Sequence, residues 1–177
     1  MPGRAVVSLR IALIAAVAAA GAACTDPDPP PPPPPPAPET AWVEIAGQLF
    51  ELELALDGAA RFRGLSDRPH IPDNGGMLFV YPRPRPLALV MRRCPVPIDA
   101  AFVDEEGRVV AIRVMEVEPP RAPGESVVAY EARLPIYASG VPAQFVVETA
   151  GGRLGELGLA VGAPLVFDTE ALSRRAR

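Results

Sequence analysis

From Trp42 onward, apolar and polar positions alternate with a period of two. In QLFELELAL, Phe50, Leu52, Leu54 and Leu56 share one face while Glu51 and Glu53 occupy the other, the pattern of a half-buried strand. The preceding WVEI and the Ala46-Gly47 pair predict a hairpin. DGAARFRGLSDR opens on Asp57, a good N-cap, and lacks β-branched residues, which predicts a short helix ended by Pro69, Pro72 and the Asn74-Gly75-Gly76 turn. GMLFVY, LALVM, IDAAFVD and RVVAIRVMEV follow as strands, with PRPRP as a turn after the first and a glycine turn between the last two. SVVAYEA and QFVVETA read as two more strands, GGRLGELG as a second short helix, and APLVFD as a final strand. The expected fold is mainly β, a single compact barrel- or sandwich-like domain with two short helices. It spans 41–170, and a polar tail over 171–177 is left frayed.

The N-terminus follows different rules. Arg4 and Arg10 lead into an alanine-rich apolar run from Ile11 to Ala20, too short to span a bilayer, so residues 1–23 read as a signal peptide. GAAC, Gly21 to Cys24, resembles the lipobox of bacterial lipoproteins, in which the cysteine is acylated and becomes the mature N-terminus; Gly21 stands where Leu, Val or Ile is usual. The alternative is ordinary cleavage after Ala23. Each buried acyl methylene contributes about 0.8 kcal/mol, so a multiply acylated Cys24 anchors the chain to a membrane. PDPPPPPPPPAP, within a 24–40 linker, fixes most φ angles and reads as a polyproline II spacer. At about 3.1 Å per residue it holds the domain roughly 35 to 40 Å from its anchor. The expected location is the cell envelope, facing the periplasm or the cell surface.

Charge narrows the choice of partners. The formal charge of −4 becomes −6 once Arg4 and Arg10 leave with the signal, which disfavours nucleic acid. Every basic residue is Arg, so a single Arg is weaker evidence for anion recognition than it is in a chain that also uses Lys. His70 is the sole histidine, in a proline-flanked loop without ligands nearby; no metal site and no Ser-His-Asp triad is written, and no cofactor motif occurs.

What remains is a constellation of Arg61, Arg63 and Gly64, the loop Asp73-Asn74-Gly75-Gly76, and VMRRCPVPID with Arg92, Arg93, Cys94 and Asp99. With Cys24 acylated, Cys94 has no disulfide partner in the monomer. Two guanidinium neighbours favour a thiolate, yet the chain offers no convincing base, so a small buried thiol is the preferred reading. Asp99 at a strand start among apolar residues needs a backbone or Arg partner, and Arg63 is the expected one. Arg92 or Arg93 is then expected on one rim of a shallow cleft, with Asp73 to Gly76 on the other.

In order along the chain, Arg63-Gly64-Leu65, Gly76-Met77-Leu78-Phe79, Val90-Met91, Pro97-Ile98-Asp99 and the closing AGGRLGELGLAVGAPLVF resemble the signature of the domain-of-unknown-function 192 family over residues 42–168. The resemblance implies a compact, mainly β fold of bacterial or archaeal origin, often exported, and no established activity. Where that family commonly has Trp and Lys-Asn-Thr, this chain has Val90 and Arg92-Arg93-Cys94. The functional expectation is a lipid-anchored binding or accessory module whose partners are the membrane and a small molecule or envelope protein. The rival is a thiol-dependent enzyme or redox protein using Cys94, and a third reading is a purely structural module presented to an envelope partner.

Overall fold

The computed structural model describes residues 37–177. The residues read as a signal peptide, Cys24 and the proline run up to Pro36 lie outside the described residues. Seven strands form one curled, mainly antiparallel sheet: β1 (Thr40–Ile45), β2 (Gln48–Ala55), β3 (Gly75–Leu89), β4 (Ile98–Val103), β5 (Val109–Met115), β6 (Tyr137–Ala150) and β7 (Leu165–Val166). Their order is β5-β4-β6-β3-β2-β1-β7. Ala46 and Gly47, both at positive φ (49° and 80°), close the β1–β2 hairpin, as the strand pattern predicts. The parallel pairing of β2 with β3 is made possible by α1 (Gly58–Arg63), which carries the chain across to the parallel start of β3.

The sheet is buried on both faces at its centre. Phe50, Leu52, Leu78, Val80, Phe145 and Val147 belong to one core, joined by Leu154, Leu165 and Leu172. Met77, Phe79, Phe102 and Val146 belong to the other, covered by Leu65, Ile71, Met91 and Cys94 from the loops after α1 and β3. Alternate residues of β3, β4 and β6 thus feed two cores, and these strands read as unbroken apolar runs for that reason. The outer strands β5 and β7 meet at a short antiparallel seam, bridged at Arg108 and Pro164. Val109 N donates to Ala163 O (2.9 Å), Gly162 N to Val109 O (2.7 Å) and Leu165 N to Gly107 O (2.8 Å).

The mainly β fold stands, with differences in its parts. GMLFVY and the first three residues of LALVM are one strand, β3: its pairing with β6 shifts between Val80 and Arg85 and again between Pro86 and Ala88, so the exposed prolines sit where the ladder is interrupted. SVVAYEA is not a strand but α2 (Val127–Arg133), because Ser126 accepts from Ala129 N (3.1 Å) and the segment packs through Tyr130 while Val127 and Val128 stay exposed. Beyond α3 (Arg153–Glu156), which matches the second predicted helix, the tail folds as α4 (Thr169–Arg175). Asp168 caps it by accepting from Ala171 N (2.8 Å), and Leu172 is buried. The described residues therefore carry four helices where the sequence predicts two.

Candidate functional site

α1 begins at Asp57, whose carboxylate accepts from Ala60 N at 2.8 Å; that bond first of all holds its pKa below the ordinary aspartate value. The helix ends at Gly64, at φ 50°, where an added Cβ would stand 3.3 Å from the Phe79 ring. This close approach lays the C-terminal end of α1 on β3. Ser66 Oγ then donates to Arg92 O (2.8 Å) and Asp67 N to Arg93 O (2.8 Å), lacing the loop after α1 to the corner after β3.

Between these elements and β6 opens a cavity of ≈ 480 Å³. Phe79, Tyr81 and Leu89 from β3 and Ile136 from the approach to β6 form apolar wall; Arg61, Arg63, Arg85 and Arg92 bring four guanidinium groups; Cys94 and Glu148 lie on its lining as well. The four cations differ in what already holds them. Arg92 grips Glu131 of α2 through two bonds of 2.5 and 2.6 Å, donates to Phe62 O, and stacks 4.0 Å above the Phe62 ring. This fork-on-fork pairing lowers the Glu131 pKa and raises that of Arg92. Arg61 spends its donors on the carbonyls of Leu56, Val80 and Arg177 (2.9, 2.8 and 2.6 Å) and lies 4.8 Å from the Tyr81 ring centre. Arg85 lies 5.0 Å from the same ring. Among the described residues, no carboxylate pairs with Arg63 or Arg85.

Glu148 is the chemically distinctive group. It stands on β6 opposite Met77 of β3 and Ala100 of β4, and is 6% exposed. Burial alone pushes its carboxyl up to about 8, with no hydrogen bond and no cation acting against it. Tyr81 is likewise raised, mainly by burial, with Arg61 and Arg85 pulling the other way. The Cys94 thiol is pushed up to about 12, first by burial and then by Glu148 and Asp67, which outweigh Arg92 and Arg93. Its Sγ lies 3.5 Å from Arg92 O.

The residues singled out from sequence divide into four groups. Arg63, Arg92 and Cys94 line the cavity. Arg93, at φ 50°, turns away and forms an exposed pair with Asp67, while its N–H donates to the Tyr130 hydroxyl (3.0 Å). Asp73 and Gly76 belong to another corner: Arg153 at the start of α3 donates to Asp73 O (3.0 Å), Asn74 Oδ1 (3.0 Å) and Gln48 Oε1 (2.7 Å). Gly76, at φ 142°, passes so close to β6 that a Cβ there would stand 2.0 Å from Glu148 O. Asp99 is buried, and its partner is a backbone amide: Oδ2 accepts from Leu154 N at 2.9 Å, and Oδ1 has no partner. Arg63 is exposed and does not reach it, because Asp99 shares a face with Ala101 and Val103, opposite the face that α1 covers. The expected Arg63–Asp99 brace and the expected cleft rim at Asp73 to Gly76 are therefore not formed.

Sequence reasoning passed over Glu148, Tyr81 and Arg85. A signal for the first was present: FVV immediately before Glu148 is apolar on both faces, the mark of a central strand, so the acid that follows it had to be buried.

Two crystal structures resemble this fold. One is a putative transcription regulator from Sinorhizobium meliloti 1021, 27% identical, with a TM-score of 0.59 over 73% of this chain and 93% of that one. The other is a protein of unknown function from Novosphingobium aromaticivorans DSM 12444, 24% identical, with a TM-score of 0.59 over 72% and 85%. No curated protein matches the chain. The family model described as "Uncharacterized ACR", DUF192, matches residues 41–167, and the chain belongs to the domain-of-unknown-function 192 family.

Proposed function

We propose that this chain is a cell-envelope binding module, held to a membrane by an acylated Cys24 and presenting one small-molecule cavity. The observation that carries the reading is Glu148, a buried carboxyl on the cavity lining that no protein group satisfies. The cavity opens onto this carboxyl, so an entering ligand can supply the partner that the protein does not. Cys94 shares the lining, but a thiol displaced to about 12 is overwhelmingly protonated at neutral pH, so thiolate chemistry loses its support.

Two measurements test the two halves. Thermal-shift screening of the chain against a broad small-molecule set should return ligands whose effect is weakened in Glu148→Leu, which removes the polar group. Turnover of any of them by the purified protein defeats the binding reading. Fractionation of a tagged chain should place it with membranes, and Cys24→Ser should release it; membrane association that survives this change defeats the anchor.

A further inference from the structure

We infer that the cavity takes a small organic carboxylate, with Arg63 and Arg85 drawing its anionic head towards a hydrogen bond from Glu148 while its apolar body packs on Phe79, Leu89 and Ile136. The inference rests on the binding reading above. Its basis is the distribution of charge around the cavity. Arg92 is neutralised by Glu131, and Arg61, which also lacks a side-chain carboxylate partner among the described residues, has three of its five N–H donors held by carbonyls. Arg63 and Arg85 keep their charge without a carboxylate partner among the described residues, and both are exposed enough to meet an entering anion.

The one acid on the lining does not cancel them. Glu148 titrates near 8, so at neutral pH it is mostly a carboxylic acid, whose O–H donates to an anion. An ammonium ligand would instead have to ionise Glu148 and pass the guanidinium groups. An apolar wall beside the polar end favours an organic acid over an inorganic anion.

Calorimetry on the full chain, with hexanoate, hexylammonium, hexan-1-ol and inorganic phosphate as probes, discriminates between these ligand classes. At pH 6.5 hexanoate should bind at least about tenfold more tightly than the other three. Arg85→Gln should weaken it by about ten- to hundredfold, the range expected for one hydrogen bond to a charged group. As the pH rises above about 8, hexanoate affinity should fall, approaching tenfold per unit, because the proton on Glu148 must be restored. The other groups facing Glu148 do not explain that slope: Cys94 and Tyr81 are shifted upward, Arg61, Arg63, Arg85 and Arg92 stay charged, and β4 presents Ala100. Glu148→Gln, isosteric and still a donor, should bind hexanoate without the slope.

Tighter binding of hexylammonium, hexan-1-ol or phosphate overturns the carboxylate inference and leaves a binding cavity. A pH slope that persists in Glu148→Gln overturns it in the same way. If none of the four probes and no member of the broad screen binds, both the inference and the binding reading fall.

Discussion

Glu148 makes the domain's stability depend on pH in an unusual direction. Its carboxyl is raised from 4.5 to about 8 by burial, so between those values the folded chain holds a proton that the unfolded chain has released. The contribution is fully present below 4.5, declines as pH rises, and is lost above about 8; over the whole window this amounts to on the order of 4 to 5 kcal/mol. Urea denaturation at pH 5 and pH 9 should show the loss in the native chain, and Glu148→Gln should remove most of it. Asp99 behaves differently, because its role is to receive the Leu154 N–H at the start of α3. Asp99→Ala should cost about 1 to 3 kcal/mol, the penalty for orphaning a buried amide, and an Arg63→Ala change should leave stability within about 0.5 kcal/mol. A double variant measured by urea denaturation should be additive, since the two side chains do not meet.

At the scale of elements, the tightest constraint is the contact between β3 and β6 at Gly76. A methyl group there collides with the Glu148 carbonyl, and backbone on both sides leaves nothing to yield. Gly76→Ala should therefore cost more than about 4 kcal/mol or abolish folding, which circular dichroism and solubility would register. By contrast, Gly47→Ala meets no neighbour and bears only the strain of a positive φ, so it should remain folded.

The same elements show what a sequence can disclose. The β1–β2 hairpin, α1 and the β4–β5 hairpin were legible because their determinants are local: alternation, a capping aspartate, a glycine turn. α2 was not, since VVAY has strand propensity and becomes helical only because Ser126 caps it and Tyr130 finds a buried place. β3 was misdivided because prolines normally end strands, and only the pairing with β6 shows that the ladder is interrupted where they stand. The cavity was half legible. Arg63, Arg92 and Cys94 fall within motifs, whereas Tyr81, Arg85 and Glu148 converge only after distant strands pair. The apolar neighbours of Asp99 in sequence do not say which face it takes; the pairing of β4 with β6 turns its side chain to the face opposite the one α1 covers, so no brace to Arg63 forms.

On the scale of the whole domain, N- and C-terminal segments are joined: Glu39 pairs with Arg175, Arg177 N donates to Leu56 O at 2.8 Å, and β1 carries β7 through Glu44↔Val166 and Ile45↔Leu165. The curled sheet thus depends on residues at both ends of the described chain. Its circuit is completed only at Gly107–Val109 and Gly162–Leu165, where three backbone bonds stand against the long, double-cored pairing of β3 with β6. Such a narrow join governs how the molecule breathes. Opening it uncovers Val109 and Leu165 at the edge of one core and leaves the other core and the β3–β6 pairing in place, so it should part more often than the centre of the sheet unravels. In native-state hydrogen exchange the amides of Val109 and Leu165 should trade protons by a local opening with weak dependence on denaturant, while those of Leu78, Val80 and Val147 exchange only with global unfolding. Equal protection at the two places would mean that the domain opens as one cooperative unit, with the join as strong as its centre.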